Sequence, residues 1–169
     1  MASVFLGLGS NIGDRQQQLK RAITEIKKHA RLIKQSSIYE TDPWGNELQD
    51  KFLNQCLEIQ TSLSPNHLLS ALKSIEKTLG RVEREKWGPR EIDIDILFYD
   101  NLIINSDTLE VPHPHLHERA FVLVPLNEIA PDLIHPSLKQ PVRKIVHKVR
   151  SEGVKLYYRN ELPKRDLLY

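Results

Sequence analysis

A single cysteine, Cys56, stands in 169 residues, so the chain can form neither an intrachain disulfide nor a multi-cysteine zinc site. No apolar run approaches the ~18–20 residues of a membrane span. The opening stretch MASVFLGLGSNIGDR lacks the basic flank and cleavage site of a secretory leader. These absences predict a protein of the reducing cytoplasm, with no membrane partner. Charge of one sign is missing too. The 24 basic and 22 acidic residues leave +2, too little to demand a nucleic-acid partner. The stretch from Lys139 to Tyr169 is less even, with nine Lys or Arg against Glu152, Glu161 and Asp166. Such a segment is more often a solvated face than an RNA contact. Repeats, low-complexity stretches and interdomain linkers are absent as well, so one domain over residues 1–169 is expected.

What is present is an ordinary globular composition, 40% hydrophobic and 27% charged, with a readable order of elements. SVFLGLG is a short apolar strand. Leu19, Ala22, Ile23, Ile26 and Ala30 recur at helical spacing after the turn SNIGD. RLIKQSSIYE reads as one strand, and TDPWGNELQD as a loop punctuated by Pro43 and Gly45. KFLNQCLEIQT alternates, with Leu53, Leu57 and Ile59 on one face and Phe52, Asn54, Cys56 and Glu58 on the other. A second helix starts at Ser64 and Pro65, ends before Gly80, and buries Leu68, Leu72, Ile75 and Leu79. A charged loop leads to a final strand. This order predicts an α+β, ferredoxin-like βαββαβ sandwich, helices on one sheet face and the other face free for a ligand. Beyond Asn101 come loops rich in Pro and His, a helix around VRKIVHKV and a strand VKLYYR, all additions at the C-terminal end.

The last strand of that plan, EIDIDILFYD, contains its own puzzle. Asp93 and Asp95 project from one face while Ile92, Ile94 and Ile96 line the other. Asp is depleted in strands. Two carboxylates ~6 Å apart at an effective dielectric of ~20 repel by roughly 3 kcal/mol. A divalent cation answers the repulsion, and Mg²⁺ characteristically takes one or two carboxylates plus substrate phosphates. An exposed strand face with acids in water is the bland alternative. Nearby Arg81, Arg84, Lys86 and Arg90 favour the first: cations for phosphate oxygens and carboxylates for a metal are the two halves of a nucleotide phosphate site.

Other phosphate signatures are missing. No GxxxxGK[ST] occurs, and the glycines of GLGSNIG fall one residue too far apart for GxGxxG, so that stretch reads as a tight strand-to-helix turn. His113, His115 and His117 have alternating spacing, but two prolines interrupt the run and argue against a shared zinc face. His113 can instead donate to a phosphate oxygen beside Arg119. Trp87, in a charged loop next to Gly88 and Pro89, reads as a residue closing on a ligand rather than as core.

Four blocks, GLGSNIGD, YETDPWG, FLNQ, and GRVEREKWGPREIDIDI followed by VPHPHLHERAFVLVPLNEIAPDLIHP, occur in the order of a known family. The chain resembles the 6-hydroxymethyl-7,8-dihydropterin pyrophosphokinases, folate-pathway enzymes that move pyrophosphate from ATP to a pterin alcohol. The resemblance implies two Mg²⁺ ions at Asp93 and Asp95. It implies a pterin pocket from Thr41, Pro43, Trp44 and Asn54, with the ring between Phe52 and Phe121 and Trp87 closing over it. ATP would be held by Glu76, Arg81, Trp87, Arg90, Ile96, His113 and Arg119. Arg84, Lys86 and Arg90 join the two aspartates as catalytic residues, Lys86 standing where the family commonly has Arg. ATP and a reduced pterin are the expected partners, and a monomer is expected. An RNA-recognition module shares the βαββαβ plan, but its aromatic RNP1 pattern is missing here.

Overall fold

The structure is a computed structural model, which describes residues 1–43, 48–82 and 88–160. Its frame is an antiparallel sheet in the order β5-β1-β4-β3-β8, with β2 also paired to β4. The strands are β1 (Ala2–Ser10), β2 (Arg31–Gln35), β3 (Ile38–Thr41), β4 (Phe52–Thr61), β5 (Asp93–Tyr99) and β8 (Val154–Tyr158). Helix α1 (Arg15–Ile26) joins β1 to β2, and α2 (Pro65–Thr78) joins β4 to β5. With β2 and β3 taken together as the second strand, this is the ferredoxin-like arrangement, extended at its β3 edge by β8.

Alternation along β1 sends Val4, Leu6 and Leu8 to one face, where they meet Leu19, Ala22, Ile23 and Ile26 of α1 and Leu68, Leu72 and Ile75 of α2. Asp14 caps α1, accepting from Gln17 N–H at 3.1 Å, and Ser64 caps α2, accepting from His67 N–H. Helix α1 stops at Ile26, short of the predicted Ala30. The chain turns over residues 27–29, and Ala30 still packs against the core.

The opposite face differs from expectation, because it is partly covered. Helix α3 (Ala120–Ile129), followed by α4 (Val142–Val146), packs a second core onto it: Val122, Leu123, Leu126 and Ile145 against Phe5, Cys56, Leu97 and Phe98. Sequence reading places no helix at 120–129. Pro125 lies inside it, and the run is too uniformly apolar for an amphipathic period to stand out. The helix persists because its burial outweighs one lost backbone bond: each fully buried aliphatic side chain contributes roughly 1.5–3 kcal/mol. Opposite Phe5 and Leu6, β5 holds one extra residue, so Leu97 and Phe98 both join this second core while Ile96 and Tyr99 stay with the first.

The helix also explains why RLIKQSSIYE is two strands. Glu128 of α3 accepts from Ser37 N–H and from the hydroxyls of Ser37 and Tyr39. Ser36 meanwhile exchanges bonds with Cys56, its N–H to Cys56 O and Cys56 N–H to its Oγ, both at 2.9 Å. The chain is thereby pulled out of the ladder at residues 36–37. After β5, a small hairpin of β6 (Ile104–Asn105) and β7 (Glu110–Val111) occupies part of the region read as loop.

Candidate active site

Glycine makes the floor of the cleft. On the face of β1 turned toward α3, Gly7 lies between Asp95 of β5 and Cys56 of β4, and Gly9 between Asp93 and Asn54. A Cβ on Gly9 would come to 3.0 Å from Asn54 Oδ1, and one on Gly7 to 3.3 Å from Leu97 Cδ2. The missing side chains leave a cleft of about 660 Å³. Strand β4 supplies Phe52 and Asn54, β3 supplies Thr41, and α3 supplies Phe121. Asn54 Nδ2 donates to Thr41 Oγ1 at 2.5 Å, which orients the amide. Arg119 stands just before α3, its guanidinium 5.5 Å from the Phe121 ring centroid. Asp42 also lines the cleft, and Pro43 next to it does not.

A charged cluster forms the other wall. Asp93 accepts from Arg81 at 2.8 Å on Oδ1 and from Arg90 at 2.7 Å on Oδ2. Arg81 is aimed by the end of α2. Gly80, at φ 91°, lets Gly80 N–H reach Lys77 O and Arg81 N–H reach Glu76 O, each at 3.0 Å, the Schellman closure that favours glycine. Arg81 thus folds back onto Glu76, which is buried and also paired with Lys73 at 3.0 Å.

Charge is unevenly matched across the two aspartates. Burial works against ionising Asp93, but Arg90 and then Arg81 outweigh it and hold its carboxyl below the usual range. Asp95 has no such clasp. Burial first and the Asp93 charge second push it up to about 7, although a third of its side chain, 34%, remains open. His113 Nε2 stands 3.9 Å from Asp95 Oδ2, too far for a hydrogen bond. Its pKa falls to about 4 through burial and the nearby Arg119, so the ring is neutral at pH 7. Burial likewise lowers Glu76's tendency to ionise, raising its pKa, with Asp93 adding to the effect.

A second cleft, of about 710 Å³, opens between β5, α2 and the β6–β7 hairpin. Lys73, Ile96, Thr108, Leu109 and His113 line it, and Asp95 belongs to both clefts. Among the described residues, no three His, Cys, Asp or Glu side chains gather as a metal-ligand cluster. His115 and His117 turn to Glu118 instead, at 3.5 Å each.

The structure therefore brings together, around two adjoining clefts, Thr41, Phe52, Asn54, Phe121, Arg90, Arg119, Asp93, Asp95, Ile96 and His113. Glu76 and Arg81 stand behind them, reaching the clefts through Asp93. Trp44, Arg84, Lys86 and Trp87 lie outside the described residues. Sequence reading missed the floor glycines, Asp42 and the hairpin wall at 106–110. Strand alternation alone was enough to find the glycines, since Gly7 and Gly9 share a face opposite Leu6 and Leu8.

The family model described as 7,8-dihydro-6-hydroxymethylpterin-pyrophosphokinase matches residues 5–131. A 2-amino-4-hydroxy-6-hydroxymethyldihydropteridine pyrophosphokinase of Aquifex aeolicus is 49% identical over 144 residues, 85% of this chain and 90% of that protein. One of the same name from Bacillus subtilis is 50% identical over 127 residues, 74% of this chain and 76% of that protein. The folic acid synthesis protein fol1 of Schizosaccharomyces pombe is 41% identical, and the match covers 90% of this chain but only 21% of that longer protein. Among solved structures, Plasmodium falciparum HPPK-DHPS is similar in fold, with a TM-score of 0.71 at 17% identity. It covers 92% of this chain and 47% of the solved one, so this chain spans less than half of that protein.

Proposed function

We infer the residue roles below from one premise: the chain belongs to the 7,8-dihydro-6-hydroxymethylpterin-pyrophosphokinase family. It transfers pyrophosphate from ATP to the hydroxymethyl group of 6-hydroxymethyl-7,8-dihydropterin, giving AMP and the pterin diphosphate in folate biosynthesis. The observation that carries the assignment of roles is the meeting of two clefts at Asp95. One has an aromatic and amide lining suited to a flat heterocycle; the other has a mixed apolar and polar lining that includes Lys73 and His113.

In this reading the pterin lies in the first cleft. Phe52 and Phe121 offer ring faces, and the Asn54 amide and Thr41 hydroxyl offer a donor and acceptors to its polar edge. Gly7 and Gly9 leave room beneath it. Asp42 borders the pocket, and the family resemblance assigns Trp44 and Trp87, which lie outside the described residues, to the same ring. The nucleotide lies in the second cleft against Ile96, its phosphates running toward Asp95. Arg81, Arg90, Arg119 and His113 surround that path, and the family resemblance assigns Arg84 and Lys86, outside the described residues, to the same phosphates. Glu76 positions Arg81. The pterin hydroxyl oxygen forms a bond to the β-phosphorus as the bond from that phosphorus to the AMP oxygen breaks, and the hydroxyl proton is released. Chemistry of this kind needs alignment and charge neutralisation more than covalent help.

The donor set fits Mg²⁺. Asp93 and Asp95 line the same cleft, a third of the Asp95 side chain is open to a ligand, and burial first and the Asp93 charge second raise its carboxyl to about 7. Asp93 and Asp95 would hold the ions, which when bound neutralise phosphate charge and polarise the phosphoryl oxygens. A single catalytic unit over residues 1–169, working as a monomer in the cytoplasm, belongs to the same proposal. No helix among the described residues is long and apolar enough to cross a membrane.

The test is an assay of AMP release from ATP. Release that requires both the reduced pterin and Mg²⁺ is expected. Hydrolysis of ATP at the same rate without pterin would overturn the reading.

A further inference from the structure

We propose that Asn11 is a positioning residue whose carboxamide ties the entrance of β4 to the entrance of β5 and so couples the two substrate clefts. Asn11 follows β1 directly, is only 3% exposed, and lines neither cleft. Its hydrogen-bonding capacity is spent on the two neighbouring chain segments. Nδ2 donates to Gln49 Oε1 at 2.9 Å and to Asp50 O at 3.0 Å. Oδ1 accepts from Arg90 N–H at 2.8 Å, and Asn11 N–H donates to Arg90 O at 3.1 Å. Both backbone polar groups of Arg90 therefore face one residue.

The two segments lead to different halves of the site. Asp50 stands two residues before Phe52 and four before Asn54, on the side assigned to the pterin. Arg90 grips Asp93 through its own guanidinium at 2.7 Å, on the side assigned to the phosphates. A shift of residues 49–50 that accompanies ring binding is passed through one rigid amide to the backbone of Arg90, and from there to the Asp93 clasp. The converse shift travels back by the same bonds. Only a side chain with a donor at one corner and an acceptor at the other can do this at that length. Asp keeps the acceptor toward Arg90 and loses both donors; Ala loses all of it. A buried amide so fully satisfied is also rigid, because any rotation strands a buried polar group.

The inference rests on the substrate assignment above, and the experiment separates the two. The dissociation constant of the reduced pterin is measured by fluorescence titration with and without saturating Mg²⁺ and a non-hydrolysable ATP analogue. The ratio of the two constants is the coupling, and it is compared among wild type, Asn11→Asp, Asn11→Ala and Gln49→Ala. The wild-type ratio is expected to exceed roughly tenfold. It should collapse toward one in Asn11→Asp, with pterin still bound, and fall partway in Gln49→Ala. The Gln49 change sits in a loop stretch and keeps the test open should the Asn11 variants fail to fold. Variants that melt earlier but keep the wild-type ratio would make Asn11 merely structural and overturn the proposal, as would a wild-type ratio near one. Failure of wild type to bind either ligand would instead overturn the substrate assignment, and this inference with it.

Discussion

At the scale of the residue, the site depends as much on side chains withheld as on those supplied. Gly9 sits opposite both Asp93 and Asn54, and a methyl group there would meet Asn54 Oδ1 at 3.0 Å. The Gly9→Ala variant should therefore fold but lose pterin affinity by roughly tenfold, since crowding a packed site by one methyl costs about 1–3 kcal/mol. Pterin titration and a melting curve on the same sample read both halves of that statement. Equal affinity would mean that the ring does not lie over this floor. Asp95 is the complementary case, a carboxylate left without a cation while Asp93 has two. The Asp95→Ala variant should lose turnover while retaining pterin binding, which depends on Phe52 and Asn54. Near-normal magnesium-dependent activity would remove Asp95 from the mechanism.

At the scale of the element, α3 and the segment after it decide how much of the sheet is available. They cover the lower part of the face with Leu123, Leu126 and Ile145 and deliver Arg119 and Phe121 to the edge of the cleft. His135 anchors the turn between α3 and α4. Its ring meets Phe98 edge-on at 5.6 Å, and its Nδ1 accepts from Ser137 N–H at 3.2 Å and Leu138 N–H at 3.1 Å. Those two donors need an unprotonated Nδ1. Burial, and then the charge of His117, hold its pKa below the ordinary histidine value. A group whose folded pKa is depressed contributes stability that is complete above its unfolded pKa, about 6.5, and is lost as pH falls through the folded value. The melting temperature should therefore drop on acidification below about pH 6.5. In His135→Asn, where Oδ1 can replace Nδ1 as acceptor, that part of the drop should disappear. An acid limb of the same shape in the variant would show that His135 does not contribute to it.

At the scale of the whole molecule, the two clefts share Asp95 of β5, and binding in either one is linked to folding stability. Any ligand that binds only the folded chain stabilises it by RT ln(1 + [L]/Kd), about 2.7 kcal/mol at a hundredfold excess over Kd. A non-hydrolysable ATP analogue with Mg²⁺ should raise the melting temperature by several degrees, and the analogue with excess EDTA by much less. Equal shifts with and without the metal would remove Mg²⁺ from the site. Beyond the clefts, β8 leaves Leu156, Tyr157 and Tyr158 largely exposed, and Arg15 stacks over the Tyr157 ring at 5.7 Å. Of the basic residues that stood out in the sequence, Lys155 lies on this edge strand and Arg159 just beyond it, and neither lines a cleft.

Much of this was determined by the sequence alone. Strand alternation, the caps at Ser64 and Gly80, and the helical spacing of Leu68, Leu72 and Ile75 dictate βαββαβ from local chemistry. They also place Asp93 and Asp95 on one face. Those rules operate within a few residues, so one chain segment suffices to reveal them. Three things required the tertiary structure: helix α3, the break at Ser36–Ser37, and the junction at Asn11. Helix α3 holds Pro125 against local propensity because the second core needs a lid. The break is set by Glu128, some ninety residues along the chain and brought near only by that helix. Asn11 reads as an ordinary turn residue until folding sets Gln49, Asp50 and Arg90 around it. Each is a contact between distant segments, and no local pattern encodes a partner that only the packed chain supplies.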